Sequence, residues 1–198
     1  SETAEKEADS KLEQLTAALN KIDGAEGLDI NTISIMGFAV DEIVKTADKL
    51  GASVVIMGSR HTEGKGMLLG SVASSVLEKS NVPVCIVPGS YPYNKGFRHV
   101  MYAMQYDKRD VAAIEALLKF TRPSNARIHC VHVQDENEPD IEYAEKMLDD
   151  FFERFDSERK AGHISFKNIA DEYVTAALMD YADDAEIDMI VMLTEKRP

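Results

Sequence analysis

The apolar residues of this chain keep two alternating spacings, one helical and one strand-like. Ala4, Ala8, Leu12, Leu15 and Leu19 recur every three or four positions, which predicts an amphipathic helix over residues 1–20. Gly24 and Gly27 break it, and Ile30 to Met36 then predicts a strand. Val40, Ile43, Val44, Ala47 and Leu50 return to the helical period, with Gly51 placed as a C-cap. Val54 to Met57 is a short, β-branched apolar run and predicts a buried strand. A helix from Ser71 to Ser80 and a strand from Pro83 to Val87, closed by Pro88, complete this half.

Residues 89–98 carry Gly, Ser, Pro, Asn and Gly in quick succession and predict a linker between domains 1–88 and 99–198. Beyond it the alternation restarts. Strands are expected at His99–Met104, Ile128–Val133, Ile164–Ile169 and Ile187–Leu193. Helices are expected around Val111–Leu118, Ile141–Phe155 and Val174–Tyr181. Strands alternating with helices imply an α/β fold, a parallel twisted sheet with helices on both faces.

The chain also repeats itself. Ala47-Asp48 through Met57 matches Ala182-Asp183 through Met192 at an offset of 135 residues. In each copy a helix ending in Ala-Asp leads to an apolar strand ending in Met. The two halves read as two tandem copies of one α/β unit, each incomplete and cut at a different point.

The most informative chemistry lies between Met57 and Val72. An apolar strand runs into Gly58, a glycine-bearing loop follows, and Gly70-Ser71 opens a helix. Exposed backbone N–H groups and the positive end of a helix dipole meet there, which suits a phosphate. Two plainer readings compete: Gly58 as a strand-to-turn glycine, and Gly70 as a packing glycine. A P-loop is excluded, because Gly64-Lys65 is followed by Gly66 rather than Ser or Thr, and the required leading glycine falls on Ser59.

This segment resembles the nucleotide loop of the universal stress protein family, G-x2-G-x9-G-[ST]. Gly58 fits the first glycine and Gly70-Ser71 the closing pair. His61 stands at the second glycine, and the spacing to Gly70 is one residue short. With the repeat, the chain resembles a tandem member of that family. The resemblance implies a Rossmann-like sheet of order 3-2-1-4-5, with strands three to five in the first copy and one to four in the second. It also implies that the chain is a piece of a longer tandem protein, with Ile30–Met36 left without its neighbouring strands.

For function, the resemblance implies a non-enzymatic stress-response module that binds an adenine nucleotide, ATP or AMP, at one degenerate site on the first copy. The expected site residues are Met57, Gly58, Ser59, Arg60, Gly64, Gly70, Ser71 and Val72. In the second copy Gln105 stands where nucleotide-binding members place an aspartate, and Leu193 stands at the place of Gly58. That copy reads as a structural partner, with Asp107 starting the next helix as a cap. The alternative is a family scaffold that binds no nucleotide and works through protein partners, by homodimer or tandem pseudo-dimer contacts at sheet edges. An adenylate-transferring enzyme is disfavoured, since neither an HIGH-type signature nor an SGG-x-DS loop occurs.

Charge and composition narrow the partners. A net charge of −13 with scattered Lys and Arg argues against nucleic acid. No apolar run approaches the ~18 residues of a membrane span, and no secretory signal is visible. Cys85 and Cys130 sit in apolar strands and read as small buried hydrophobes of a reducing, cytoplasmic compartment. His129 and His132 are three apart on one strand, so they face opposite sides and cannot share a metal. No catalytic constellation and no metal site is readable, and the sequence requires no metal for the nucleotide.

Overall fold

The computed structural model describes residues 2–59, 70–89, 96–134 and 141–194. The chain forms two compact units, Ser1–Tyr91 and Pro92–Pro198.

The first unit opens with α1, Glu2–Leu19, the helix its apolar period predicts. Leu15 and Leu19 on that stripe remain exposed. Helix α2, Ala39–Leu50, follows, with Asp41 and Glu42 in its first turn and Lys49 in its last, the arrangement a helix dipole favours. It ends on Gly51, whose φ of 60° lies in the left-handed region that a residue without Cβ enters at little cost. The amides of Gly51 and Ala52 donate to the carbonyls of Asp48 and Ala47 and close the helix. Strand β1, Val55–Ser59, leads through the loop to α3, Ser71–Lys79, and then to β2, Val84–Pro88. The two strands pair in parallel, Val55 opposite Val84 and Ser59 opposite Pro88. Ala73 and Val76 of α3 are buried, and Lys79 reaches Asp41 of α2 at 3.0 Å.

The predicted strand Ile30–Met36 does not form. Its backbone is irregular and pairs with no strand among the described residues. Ile33, Ile35 and Met36 are exposed. A β-rich sequence supplies only half of a strand. Without a neighbour its N–H and C=O groups gain nothing from being extended, and water satisfies them as well.

The second unit holds a four-stranded parallel sheet. Its elements in chain order are β3 (His99–Ala103), α4 (Lys108–Thr121) with a short 3-10 turn at Arg122–Ser124, β4 (Arg127–Gln134), α5 (Ile141–Arg154), α6 (Asp156–Lys160), β5 (Ile164–Ala170), α7 (Val174–Asp184) and β6 (Met189–Met192). The spatial order is β5-β4-β3-β6, which is 3-2-1-4 in the numbering of this copy. Val100, Tyr102, Ile128 and Cys130 face one side and pack with Ile114, Phe151 and Phe155 of the helices there. Met101 and Val131 face the other and pack with Ala182 and Leu178 of α7. Burial on both faces explains why β4 reads as a nearly continuous apolar run.

The internal repeat is visible in the backbone. The helix that starts at Ala39 in the first copy starts at Val174 in the second. Each ends in the same pair of hydrogen bonds. Glu186 and Ile187 donate to Asp183 and Ala182, as Gly51 and Ala52 do to Asp48 and Ala47. Glu186 even repeats the left-handed turn, at φ 49°, without the glycine that makes it easy.

Candidate functional site

The residues singled out in the first copy fall at one end of the β1–α3 connection. Met57, Gly58 and Ser59 form the carboxyl end of β1. Gly70 is the N-cap of α3, and Ser71 and Val72 are its first residues. Arg60 and Gly64, like His61, lie outside the described residues.

Three observations give this corner its chemistry. No side chain among the described residues caps α3, so the N–H groups of its first turn keep the donors that an α-helix cannot satisfy itself. A Cβ built on Gly58 or Gly70 meets nothing within 4 Å, so backbone is accessible at both positions among the described residues. Ser59 is buried, yet its Oγ has no hydrogen-bond partner among the described residues. A buried hydroxyl left unpaired costs about 1–3 kcal/mol and is uncommon in a folded protein. Unclaimed donors at a strand end and a helix start suit an anion with several acceptor oxygens.

The strand end of the second copy is closed by its own side chains. After β3 the chain turns through Gln105 and Tyr106 to Asp107, which caps α4 by accepting the Arg109 amide at 2.8 Å. Arg109 beside it holds the Asp107 carboxyl below the usual carboxylate range. Asp110, almost fully buried, accepts from the Tyr102 hydroxyl at 2.6 Å and from the amides of Gln105 and Asp107 at 3.2 and 2.8 Å. Burial, and then the Asp110 hydrogen bond, push the Tyr102 phenol well above its ordinary value. Tyr106 is also buried, at φ 57°, with its ring 4.4 Å from His132 and its hydroxyl donating to Asn168. Leu193, at the place of Gly58, is partly exposed at the end of the last strand.

His129 and His132 face opposite sides of the sheet, as the strand period requires: His129 meets Tyr181 of α7, and His132 meets the Met104 carbonyl. No group of three potential metal ligands occurs among the described residues. Both cysteines are unpaired thiols that burial pushes up, which suppresses the thiolate. Among the described residues no helix is long and apolar enough to cross a membrane. Sequence reasoning missed Asp110 and Tyr106. Asp110 stands three residues after the predicted cap, the spacing of a capping box, and that signal was readable.

A profile of the universal stress protein family matches residues 1–88 and again residues 96–198. The chain belongs to the universal stress protein family. Among curated relatives, a universal stress protein of Methanocaldococcus jannaschii is 39% identical over 82 residues, which is 41% of this chain and 48% of that protein. Universal stress protein G of Shigella flexneri is 47% identical over 51 residues, 26% of this chain and 36% of that one. The matched stretches thus span about half or less of these relatives. A universal stress protein structure from Archaeoglobus fulgidus superposes over 98% of this chain and 68% of its own, with a TM-score of 0.71 at 24% identity. A second, from Pseudomonas aeruginosa, superposes over 96% and 68% with a TM-score of 0.67 at 15% identity. These two likenesses bear on the fold alone.

Proposed function

We propose that this protein is a non-enzymatic, cytoplasmic stress-response module that takes one adenine nucleotide, ATP or AMP, on its first copy. The observation that carries the reading is the unclaimed polar surface between β1 and α3. The Ser59 hydroxyl is buried without a partner, and α3 starts on Gly70 without a side-chain cap. The nucleotide phosphates are the ligand, with Gly58 and Gly70 allowing close backbone approach and the α3 dipole favouring the negative charge. Met57, Ser71 and Val72 border the same corner, and Arg60 and Gly64 stand between Ser59 and Gly70 in the sequence.

The test is direct. The purified protein is denatured and the supernatant assayed for adenine nucleotide, and ATP and AMP are titrated by calorimetry. Gly70→Val is expected to weaken binding by at least about ten-fold, because its side chain fills the approach to the backbone. Its own fold is expected to lose about 1 kcal/mol, because Val is a poorer N-cap than Gly even though an added Cβ meets nothing within 4 Å. Equal binding by the native chain and Gly70→Val removes this site from consideration.

A second reading has its own observation. Met36, Phe38 and Ile56 of the first unit are 79%, 85% and 68% exposed. Large apolar side chains in such positions suit self-association, and β1 pairs on one edge only among the described residues. A scaffold working through sheet-edge contacts fits these features without nucleotide, and the two readings separate on whether the oligomer forms in nucleotide-free protein.

A further inference from the structure

Two histidines and a tyrosine form a hydrogen-bonded chain across one face of the second unit. His99 Nδ1 lies 3.1 Å from His129 Nε2, and His129 Nδ1 lies 2.9 Å from the Tyr181 hydroxyl. The rings meet edge-on, with centroids 5.3 Å apart for the histidines and 6.0 Å for His129 and Tyr181. Three elements are joined by these two bonds: β3 through His99, β4 through His129 and α7 through Tyr181. Around the chain α7 meets the sheet through small apolar contacts, Leu178 and Ala182 against Met101 and Val131.

Counting protons shows what this chain tolerates. Two bonds need two hydrogens between the three groups. With both imidazoles neutral, Tyr181 donates to His129, which donates to His99. With one extra proton on His99 the direction reverses: His99 donates to His129 Nε2, and His129 Nδ1–H donates to the tyrosine oxygen. Both arrangements are complete. With an extra proton on each imidazole, two N–H groups face each other at 3.1 Å and the central bond cannot exist.

We propose that His99, His129 and Tyr181 form a clasp that fastens α7 to the sheet while the histidine pair holds no more than one extra proton, and releases it when both imidazoles are charged. The surroundings weigh against the second charge. The Asp188 carboxylate accepts from the amides of Arg98 and His99 at 2.7 and 2.8 Å, placing a negative charge beside His99. Arg127 precedes His129 by two positions on β4 and adds a positive charge. On β5 the register partner of His129 is the uncharged Ser165, with Lys167 two residues further on. The acidic neighbours of Tyr181 on α7, Asp180, Asp183 and Asp184, are exposed to water. A second extra proton on the pair therefore meets the first and the Arg127 guanidinium. Burial, and then the charges of His99 and Arg127, hold His129 below the ordinary histidine range. A histidine held low resists protonation that the unfolded chain accepts. Its contribution is therefore whole above the ordinary histidine range and is lost as pH falls below it.

The experiment follows α7 and the imidazoles of the intact chain. Amide hydrogen exchange of residues 174–184, corrected for intrinsic rate, is compared with that of α4 between about pH 7 and about pH 5. Exchange in α7 is expected to rise about ten-fold or more while α4 holds. Imidazole 15N shifts are expected to show His129 becoming charged over the pH range in which α7 loosens. His99→Gln keeps a side chain that can accept from a charged His129 but cannot itself take a proton, so two cations never face each other and its α7 exchange is expected to lose the acid dependence. Parallel behaviour of α7 and α4, loosening of α7 while His129 is still neutral, or an undiminished acid response in His99→Gln overturns the clasp. The His129 shifts of the native chain decide the matter even if that variant does not fold.

Discussion

The two units finish their strand-to-helix turns in opposite ways. In the first, β1 ends in Ser59, whose buried hydroxyl has no partner among the described residues, and α3 begins on a glycine that offers no side-chain cap. In the second, β3 runs into a turn held by carboxylates: Asp110 takes the Tyr102 hydroxyl and two amides, and Asp107 takes the amide of Arg109. The same kind of turn can be a socket or a plug. What separates them is whether the first helical turn carries acidic side chains of its own. Residues 107–110 provide two carboxylates, and residues 70–73 provide none. Carboxylates from the chain occupy the positions that an external anion would otherwise take.

The largest effect should come from breaking the plug. Asp110→Ala strands the buried Tyr102 hydroxyl and two amides. It is expected to destabilise the second unit by about 3 kcal/mol or more. Residue-resolved hydrogen exchange in β3 and α4 reads the loss, and first-unit amides serve as the control. A change within about 0.5 kcal/mol would mean that water replaces the carboxylate and that the turn is less closed than the contacts indicate.

A smaller effect sharpens the comparison between the repeated helix ends. Gly51 and Glu186 hold the same left-handed turn, but only the first is a glycine. Glu186→Gly is expected to stabilise the second unit by about 1 kcal/mol, visible as a raised denaturant midpoint. Gly51→Ala should cost the first unit a similar amount. Opposite signs at the two sites are the signature of one backbone shared by two sequences.

The smallest effect probes the socket. Ser59→Ala removes a hydroxyl that makes no bond, so the ligand-free protein should be unchanged or more stable by up to about 1 kcal/mol. Nucleotide affinity should nonetheless fall. Loss of stability without nucleotide would mean that the hydroxyl has a partner within the chain, and the contrast between the two turns would then narrow.

Much of the architecture was legible before any coordinates. Apolar spacing placed α2, α3, α4, α5 and α7 and every observed strand to within a few residues, because each buries a face whose period the side chains must follow. Gly51 as a C-cap and Asp107 as an N-cap were equally plain, since a helix end needs a particular backbone or a particular oxygen, both local demands. The repeat followed from Ala-Asp and Met recurring at the same distance, and the two helix ends carry it down to individual amides.

Other features depended on partners distant in sequence. Ile30–Met36 has the composition of a strand, yet strand formation needs a second backbone, which no local pattern guarantees. His129 and His132 were correctly set on opposite faces by the period of one strand. That His129 meets His99 and Tyr181 depended on the register of β3 against β4 and on where α7 lies, over separations of 30 and 52 residues. The Ser59 hydroxyl is the same case in reverse: a serine at a strand end is unremarkable in the sequence, and only packing around it decides that it is buried with nothing to bond. The sequence by itself determined the elements, their caps and their repetition, because those answer to neighbours along the chain. The tertiary structure alone decided which polar groups found partners, because a hydrogen bond needs its two atoms within about 3 Å, a condition that only the assembled backbone can meet.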